Sequence, residues 1–252
     1  MSITTTVVDG RIAVVTMDYP PVNALPVEGW FHVADAMREA PRDPNIRVVV
    51  LRAEGRGFNA GVDIKEMQRT TGFDALVGAN RGCYAAFKAI YEAEVPVLAA
   101  VNGFCLGGGV GLVGNCDTII ASDDAYFGVP EVDRGALGAA THLARLVPQH
   151  LMRTLYYTSR TIPAADLVQH GSVLEVVPRH RLDDAAMAVA GEIADKDPRV
   201  LRAAKAALNG IDPVDVNKSY RFEQGFTFEL NLAGVADEHR NEFVESGRPL
   251  AT

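Results

Sequence analysis

Short runs rich in β-branched residues recur along the first two thirds of the chain and predict buried strands. Gly, Pro, Asp or Asn bounds each run, as is usual where strands end. The runs are Ile12–Met17, Arg47–Arg52, Val95–Val101, Asp117–Ala121 and Leu174–Val177. Helical periodicity between and after them predicts four helices: Val27–Ala40, which follows Pro26, Gly82–Ala93, Asp183–Ala194 and Arg199–Leu208. Strands therefore dominate early in the chain and helices late.

This order of elements predicts an α/β fold in one structural unit. We expect a sheet-based core over residues 1–162 and a helical region over residues 163–252 that covers the site or serves assembly. The 252 residues, of which 48% are apolar, are enough to bury one sizeable core. No repeat, low-complexity tract or linker divides the chain.

The acidic composition limits the classes of partner. A formal net charge of −8 disfavours nucleic acid and anionic membranes as main partners, because both bind basic surfaces. No apolar run approaches the roughly 18 residues that a membrane span needs, and we expect a soluble, cytoplasmic protein. The three cysteines are expected to be buried free thiols, and the six histidines have no metal-ligand spacing.

Two glycine-rich segments are the strongest candidates for chemistry. The segment from Gly55 to Met67 follows a predicted strand and has three glycines before a charged helical start. The segment from Asn102 to Leu112 has three consecutive glycines between a strand and a helical run. Glycine lets a ligand approach the backbone closely, and a helix start adds positive potential. A tight turn without function is the alternative for either segment alone.

Together with Pro21–Leu25 and Tyr126–Glu131, these segments resemble the crotonase (enoyl-CoA hydratase/isomerase) superfamily in motif, order and spacing over nearly the whole chain. The resemblance implies a ClpP-like fold, in which repeated ββα units form a spiral core before a helical carboxyl-terminal region. It also implies an acyl-CoA substrate, no further cofactor, and a homotrimer or dimer of trimers. The backbone N–H groups of Val62 and Gly108 are implied to hold the thioester oxygen.

The same resemblance assigns the coenzyme A contacts. The adenine is expected near Ala24, Ala60 and Ile64, and Lys65 is expected to face a phosphate. Lys65 as an ordinary surface charge is the alternative. Aromatic residues in the late helical region are expected either at a subunit boundary or in the core.

One departure from the family pattern narrows the reaction. Hydratases of the superfamily use two glutamates, and here the first position is Gly111 while the second is kept as Glu131. Glycine cannot position water or exchange a proton, so ordinary hydration is disfavoured. A single base suffices for double-bond isomerisation or for activating water. Gly111 is also expected to leave room for a bulky acyl group, with close helix packing as the alternative.

His142 is a further candidate. It lies at the start of a probable helix that Thr141 is expected to cap, in a region that faces the acyl group in relatives. There it would assist water or bind a substrate carbonyl. A structural role is the alternative.

Several long runs resemble a narrower group, the actinobacterial cholesterol-pathway crotonases that hydrolyse the last five-membered ring of the steroid nucleus. The runs are Asp18–Ala24, Gly55–Arg69, Arg134–His142 and Phe226–Arg240. This resemblance implies retro-Claisen cleavage of 7a-methyl-1,5-dioxo-hexahydro-indene-carboxyl-CoA. The alternatives are isomerisation or hydration of another acyl-CoA, and acyl-CoA binding without catalysis.

Overall fold

The computed structural model describes residues 1–70 and 72–246, and its central feature is a six-stranded sheet. In spatial order the strands are β1 (Ser2–Val8), β2 (Ile12–Asp18), β3 (Val48–Ala53), β4 (Val97–Val101), β6 (Thr118–Ser122) and β9 (Glu175–Val177). All neighbours are parallel except β1 and β2. All five predicted strands are present. The sixth, β1, lies at the sheet edge and is largely exposed, so it has no apolar run to reveal it.

A second, three-stranded sheet was not predicted. It contains β5 (Phe104–Leu106), β7 (Tyr126–Gly128) and β8 (Thr161–Pro163). Three residues are too few to establish a period in sequence. Because β5 and β7 are parallel, the segments that follow them leave the same edge of the sheet. These segments are the glycine triplet and the turn that contains Glu131.

Helices cover both faces of the central sheet. They are α1 (Val27–Glu39), α2 (Ile64–Arg69), α3 (Asp74–Tyr91), α4 (Gly108–Val113), α5 (Ala140–Leu143), α6 (Gln149–Thr158), α7 (Ala164–Val168), α8 (Leu182–Ala194), α9 (Pro198–Gly210), α10 (Val216–Leu232) and α11 (Val235–Ser246). The four predicted helices are confirmed. Helix α3 begins at Asp74, well before the expected Gly82. The final residues of the expected helical region, 247–252, lie outside the described residues.

The buried strands divide their side chains between two cores. Alternate residues such as Val49 and Leu51 face a large core that contains α1, α3 and α4. Their neighbours Val48 and Val50 face a smaller core against the alanine-rich side of α8. Burial on both faces explains why these strands are continuous apolar runs in sequence and do not alternate with polar residues.

The helical region is packed onto the core. The expected boundary at residues 162 and 163 falls within β8, so this strand belongs to both parts. Cys83, Cys105 and Cys116 are free and buried, as predicted. Across residues 1–70 and 72–246, no helix is long and apolar enough to cross a bilayer.

Candidate active site

The first glycine-rich loop is held against the segment that precedes α1. Asn59 donates its amide to the carbonyl of Asn23 at 2.6 Å and accepts the N–H of Gly61 at 2.8 Å. Leu25 then forms an isolated bridge with the loop: its N–H donates to the Gly61 carbonyl, and its carbonyl accepts the Asp63 N–H, both at 2.9 Å. The bridge uses the groups on either side of Val62 and leaves the Val62 N–H pointing away.

The second loop turns directly from β5 into α4. Gly107 donates its N–H to the Gly128 carbonyl of β7 at 2.9 Å, and α4 begins at Gly108. The two loops are in contact, since a methyl group added to Gly61 would lie 3.4 Å from the Gly108 nitrogen. Within the described residues, neither the Val62 nor the Gly108 N–H donates to a protein group. The two adjacent loops therefore each have a backbone donor without a protein partner.

Glu131 is the acid of the site. It follows β7, and its carboxylate lies so close to Gly107 that a methyl group there would be 2.4 Å from Oε1. Gly107 also has a positive φ of 54°, which glycine adopts without strain. The Oε2 atom is buried and has no hydrogen-bond partner among the described residues. This oxygen is thus shielded from water beside the second loop, while Glu131 as a whole is half-buried.

The surroundings of Glu131 favour its protonated form. Burial raises the pKa of Glu131 from 4.5 to about 8, with a further increase from Glu223, while its own backbone N–H and Arg134 act in the opposite direction. Desolvation dominates because the carboxylate loses water without gaining a strong partner. A carboxyl group with a pKa near neutral can both accept and return a proton.

The two loops and Glu131 open into a cavity of about 150 Å³. Of the predicted site residues, five line it: Ala60, Val62, Ile64, Gly108 and Glu131. Ala24 is half-buried outside the cavity, and Lys65 is exposed in the first turn of α2. Among the described residues, no cluster of His, Cys, Asp or Glu could hold a metal ion.

The prediction that Gly111 leaves room for the acyl group was wrong. A methyl group on Gly111 would lie 2.1 Å from Cζ of Phe87, so the phenyl ring of α3 already fills this space. Phe87 also lines the cavity. An apolar ring therefore stands where hydratases have their first glutamate, and the glycine serves close helix packing.

His142 lies behind the cavity wall. Its ring contacts Phe87 and Tyr220, with centroids 4.8 and 5.0 Å apart, and both of these residues line the cavity while His142 does not. Neither ring nitrogen has a hydrogen-bond partner among the described residues. Burial, followed by the nearby Arg145, lowers the pKa of His142 to about 3. The imidazole is neutral, and this position does not favour the predicted contact with the acyl group.

The expected cap by Thr141 was also wrong. Helix α5 begins after Ala139, and no side chain at that position caps it. Instead, the Glu223 carboxylate of α10 accepts the N–H groups of Ala140 and Thr141 at 3.0 and 3.2 Å. A carboxylate at a helix start is favourable because it meets unpaired N–H groups.

Several cavity residues were not found by sequence reasoning. They come from α3, α10 and α11, far from the glycine-rich loops: Asn80, Cys83, Tyr220, Thr227, Asn231 and Arg240. Thr227 also holds the opposite wall, since its hydroxyl accepts the Leu137 N–H at 3.0 Å and donates to the Leu137 carbonyl at 2.5 Å. Their spacing follows ordinary helical periodicity, and the matching run Phe226–Arg240 was a signal for Thr227, Asn231 and Arg240 alone.

The packing at Gly111 predicts a loss of stability on enlargement. We expect Gly111→Ala to lower the free energy of unfolding by about 2 kcal/mol, because the phenyl ring of Phe87 must move. Urea denaturation measures this change. Gly191→Ala is the control. Gly191 lies within α8, and a methyl group added to it would meet no atom within 4 Å. Alanine there should raise the free energy of unfolding by about 0.5 to 1 kcal/mol. Equal changes in the free energy of unfolding for the two substitutions would contradict the close packing of Gly111 against Phe87.

The burial of Glu131 predicts that the free energy of unfolding depends on pH. Because the folded state raises the pKa of Glu131 to about 8, it binds this proton more tightly than the unfolded chain does. The contribution of Glu131 to the unfolding free energy therefore falls as pH rises from about 4.5 to 8. We expect Glu131→Gln to match the wild type in unfolding free energy at pH 4 and to exceed it by about 5 kcal/mol at most at pH 8. If urea denaturation gave a difference in unfolding free energy between Glu131→Gln and the wild type that did not change with pH, this expectation would be wrong.

Comparison with known proteins agrees with this geometry. A model of the enoyl-CoA hydratase/isomerase family matches residues 8–249. A Rhodococcus jostii protein named (7aS)-7a-methyl-1,5-dioxo-2,3,5,6,7,7a-hexahydro-1H-indene-carboxyl-CoA hydrolase is 69% identical, over 99% of this chain and 96% of that protein. A Mycobacterium tuberculosis protein of the same name is 67% identical, over 97% and 99% of the two chains. A crystal structure of an enoyl-CoA hydratase/isomerase from Pseudoalteromonas atlantica has a TM-score of 0.85 at 26% identity, over 99% of both chains. The chain therefore belongs to the enoyl-CoA hydratase/isomerase family and has the crotonase fold.

Proposed function

We propose that this protein is a hydrolase that opens the five-membered ring of 7a-methyl-1,5-dioxo-hexahydro-indene-carboxyl-CoA by retro-Claisen C–C cleavage during cholesterol degradation. The observation that carries the proposal is a single dry carboxylate, Glu131, beside two unpaired backbone donors, with Phe87 in place of a second acid. The two relatives that are 69% and 67% identical, both named as hydrolases of this thioester, support the choice of substrate.

The reaction begins at Glu131. Its carboxylate takes a proton from water, and the resulting hydroxide adds to the carbon of the ring ketone. The adjacent C–C bond of the five-membered ring then breaks, and its electron pair moves through the conjugated system onto the thioester oxygen. Glu131 returns its proton to carbon, so the product contains one carboxylic acid and one new C–H bond. One base is sufficient for this sequence.

The backbone donors of Val62 and Gly108 act on the charge that develops. They bind the thioester oxygen most strongly when it is an enolate oxygen, and each such preorganised donor contributes on the order of 3 kcal/mol to transition-state stabilisation. The Phe87 ring keeps this region apolar, which strengthens both hydrogen bonds. His142 has no part in this scheme.

Coenzyme A binds along the first loop in this proposal. Ala60 and Ile64 line the cavity with Val62. In this proposal the adenine lies near Ala60, Ile64 and Ala24. Lys65 is exposed in the first turn of α2, where a phosphate is accessible to its ammonium group. The coenzyme A portion of the substrate is the only cofactor required, and the reaction takes place in the cytoplasm.

We propose that the chain assembles as a homotrimer or a dimer of trimers, and exposed apolar groups on and near α10 support a subunit interface there. Phe222 and Phe226 are 72% and 42% exposed and stack edge to face, with centroids 5.3 Å apart. Ile211 and Leu232 are exposed nearby in sequence. Exposed large apolar groups of this kind are typical of a subunit interface. Tyr220, by contrast, is buried and belongs to the core; the side chain of Phe243 lies outside the described residues.

The substrate proposal is tested with the purified protein and two thioesters. The bicyclic CoA ester should gain one water in mass spectrometry while keeping its thioester, and ¹³C NMR should show a ring ketone converted to a carboxylate. Crotonyl-CoA should not be hydrated at a comparable rate. Rapid hydration of crotonyl-CoA without ring opening would instead identify a hydratase, and a shift of the double bond without mass change an isomerase. Tight binding of acyl-CoA without turnover of either ester would identify a non-catalytic protein.

The role of Glu131 is tested by substitution. We expect Glu131→Gln to reduce kcat for ring opening by about 10²- to 10⁴-fold, because water is then no longer activated by a base. Asp133→Asn is the matched control: Asp133 is exposed in the same turn and does not line the cavity. Ring opening by Glu131→Gln at the wild-type rate would exclude Glu131 as the base.

The proposed assembly is tested by sedimentation. We expect a mass three or six times the 27.0 kDa of one chain. Phe222→Ser combined with Phe226→Ser should shift the distribution towards smaller species, because it removes exposed apolar area. A monomer at all concentrations would contradict the proposed assembly.

A further inference from the structure

The charged side chains of the acyl cavity do not balance. Within the described residues, three charged side chains line it: Glu131, Arg134 and Arg240. The acyl group of the proposed substrate contains ketones and a thioester and carries no charge. Arg134 lies close enough to Glu131 for their charges to interact. Arg240 therefore brings to the cavity lining a positive charge that pairs with neither the closed acyl group nor Glu131, and its ion-pair partner, Asp237, does not line the cavity.

Arg240 is held in place from two sides. Its Nη1 donates to Oδ1 of Asn231 at 2.9 Å, and Nη2 forms an ion pair with Asp237. Asn231 is in turn anchored by a bond from its Nδ2 to the Thr227 carbonyl at 2.7 Å. Only 14% of the Arg240 side chain is exposed, compared with 70% for Asp237. The guanidinium is thus oriented before any ligand binds.

The two partners of Arg240 lie in different environments. Asn231 and Arg240 line both the acyl cavity and a separate groove, whereas Asp237 lines the groove but not the cavity. Among the described residues, the hydrogen-bond partner of Arg240 that lines the cavity is therefore a neutral amide. Because arginine has five N–H donors, these two interactions leave others for a ligand.

Helix α11 positions Arg240 relative to the base. A methyl group on Gly135 would lie 2.8 Å from the Cα of Ala236, so α11 packs directly on the turn that follows Glu131. Arg240 is four residues after Ala236 and lies on the same face of the helix. The turn that contains the base and the helix that contains the guanidinium are therefore one packed unit at the cavity.

The proposed reaction creates an anion in this cavity. Hydroxide adds to the ring ketone and the ring C–C bond breaks, so the former ketone carbon becomes the carbon of a carboxylic acid. This acid is ionised at neutral pH. A guanidinium binds a carboxylate through short, charge-assisted hydrogen bonds. We propose that Arg240, oriented by Asn231, is a binding site for the carboxylate formed by ring opening; this inference rests on the proposed function.

The test compares binding of the ring-opened product with that of the closed ester. Product made by the wild-type enzyme is purified, its Kd is measured by calorimetry, and KM is measured for the closed ester. We expect Arg240→Gln to weaken product binding by about tenfold or more, which corresponds to one lost charge-assisted contact. KM for the closed ester should change by less than about threefold, because its acyl group is uncharged.

Matched variants make the result specific. Arg240→Lys keeps the charge but loses the planar donor pair, so it should recover part of the product affinity. Arg221→Gln is the control, since Arg221 bonds Gln224 and stacks on Tyr84 outside the cavity. Asn231→Asp places a competing carboxylate against Arg240 and should weaken product binding like Arg240→Gln. If Arg240→Gln does not fold, the product affinity of Asn231→Asp tests the inference in its place.

Three results would overturn the inference. If the wild type does not open the ring, the proposed function fails and the carboxylate site fails with it. If the wild type opens the ring but Arg240→Gln and Asn231→Asp bind product as the wild type does, only the carboxylate site fails. If affinity for product and KM for closed ester change by the same factor, Arg240 supports the cavity without recognising the new carboxylate.

Discussion

The site depends on the close approach of the Glu131 carboxylate to the backbone at Gly107. The approach is possible because β5 and β7 are paired and Gly107 donates its N–H to Gly128. A side chain at residue 107 would overlap the carboxylate and would also be strained by the positive φ. This one contact holds the base beside the loop that starts α4, where the Gly108 N–H is unpaired. Every other part of the site is arranged around it.

The same contact determines the environment of Glu131, which the proposed function uses as its one base. The Glu131 carboxylate is placed in a dry pocket, and desolvation raises its pKa to about 8. The Phe87 ring occupies the space over Gly111, so this face of the cavity has no second acid and no room for one. A base with a raised pKa next to two oriented N–H groups favours reactions in which one proton is moved and charge develops on a thioester oxygen.

The covering helices supply what distinguishes this cavity. Helix α10 holds the loop at Leu137 through Thr227 and caps α5 through Glu223, so the wall of the cavity is built by contacts between distant parts of the chain. Helix α11 adds a guanidinium next to that wall. In the proposed function, the two glycine-rich loops stabilise the intermediate, while α10 and α11 provide the shape and charge of the cavity that receives the acyl group.

The amino-acid sequence by itself determined the positions of five strands, the four main helices, the two glycine-rich loops and the replacement of one glutamate by Gly111; four of the strands are buried as predicted, whereas β9 is exposed or half-buried. These features are local: periodicity, turn residues and motif spacing are properties of neighbouring residues. Only the tertiary structure decided that Phe87 fills the space over Gly111, that His142 lies behind the wall, that Glu223 rather than Thr141 caps α5, and that Arg240 reaches the cavity. Each of these depends on the packing of side chains far apart in the chain, and close packing is fixed by three-dimensional complementarity, which local sequence patterns do not encode.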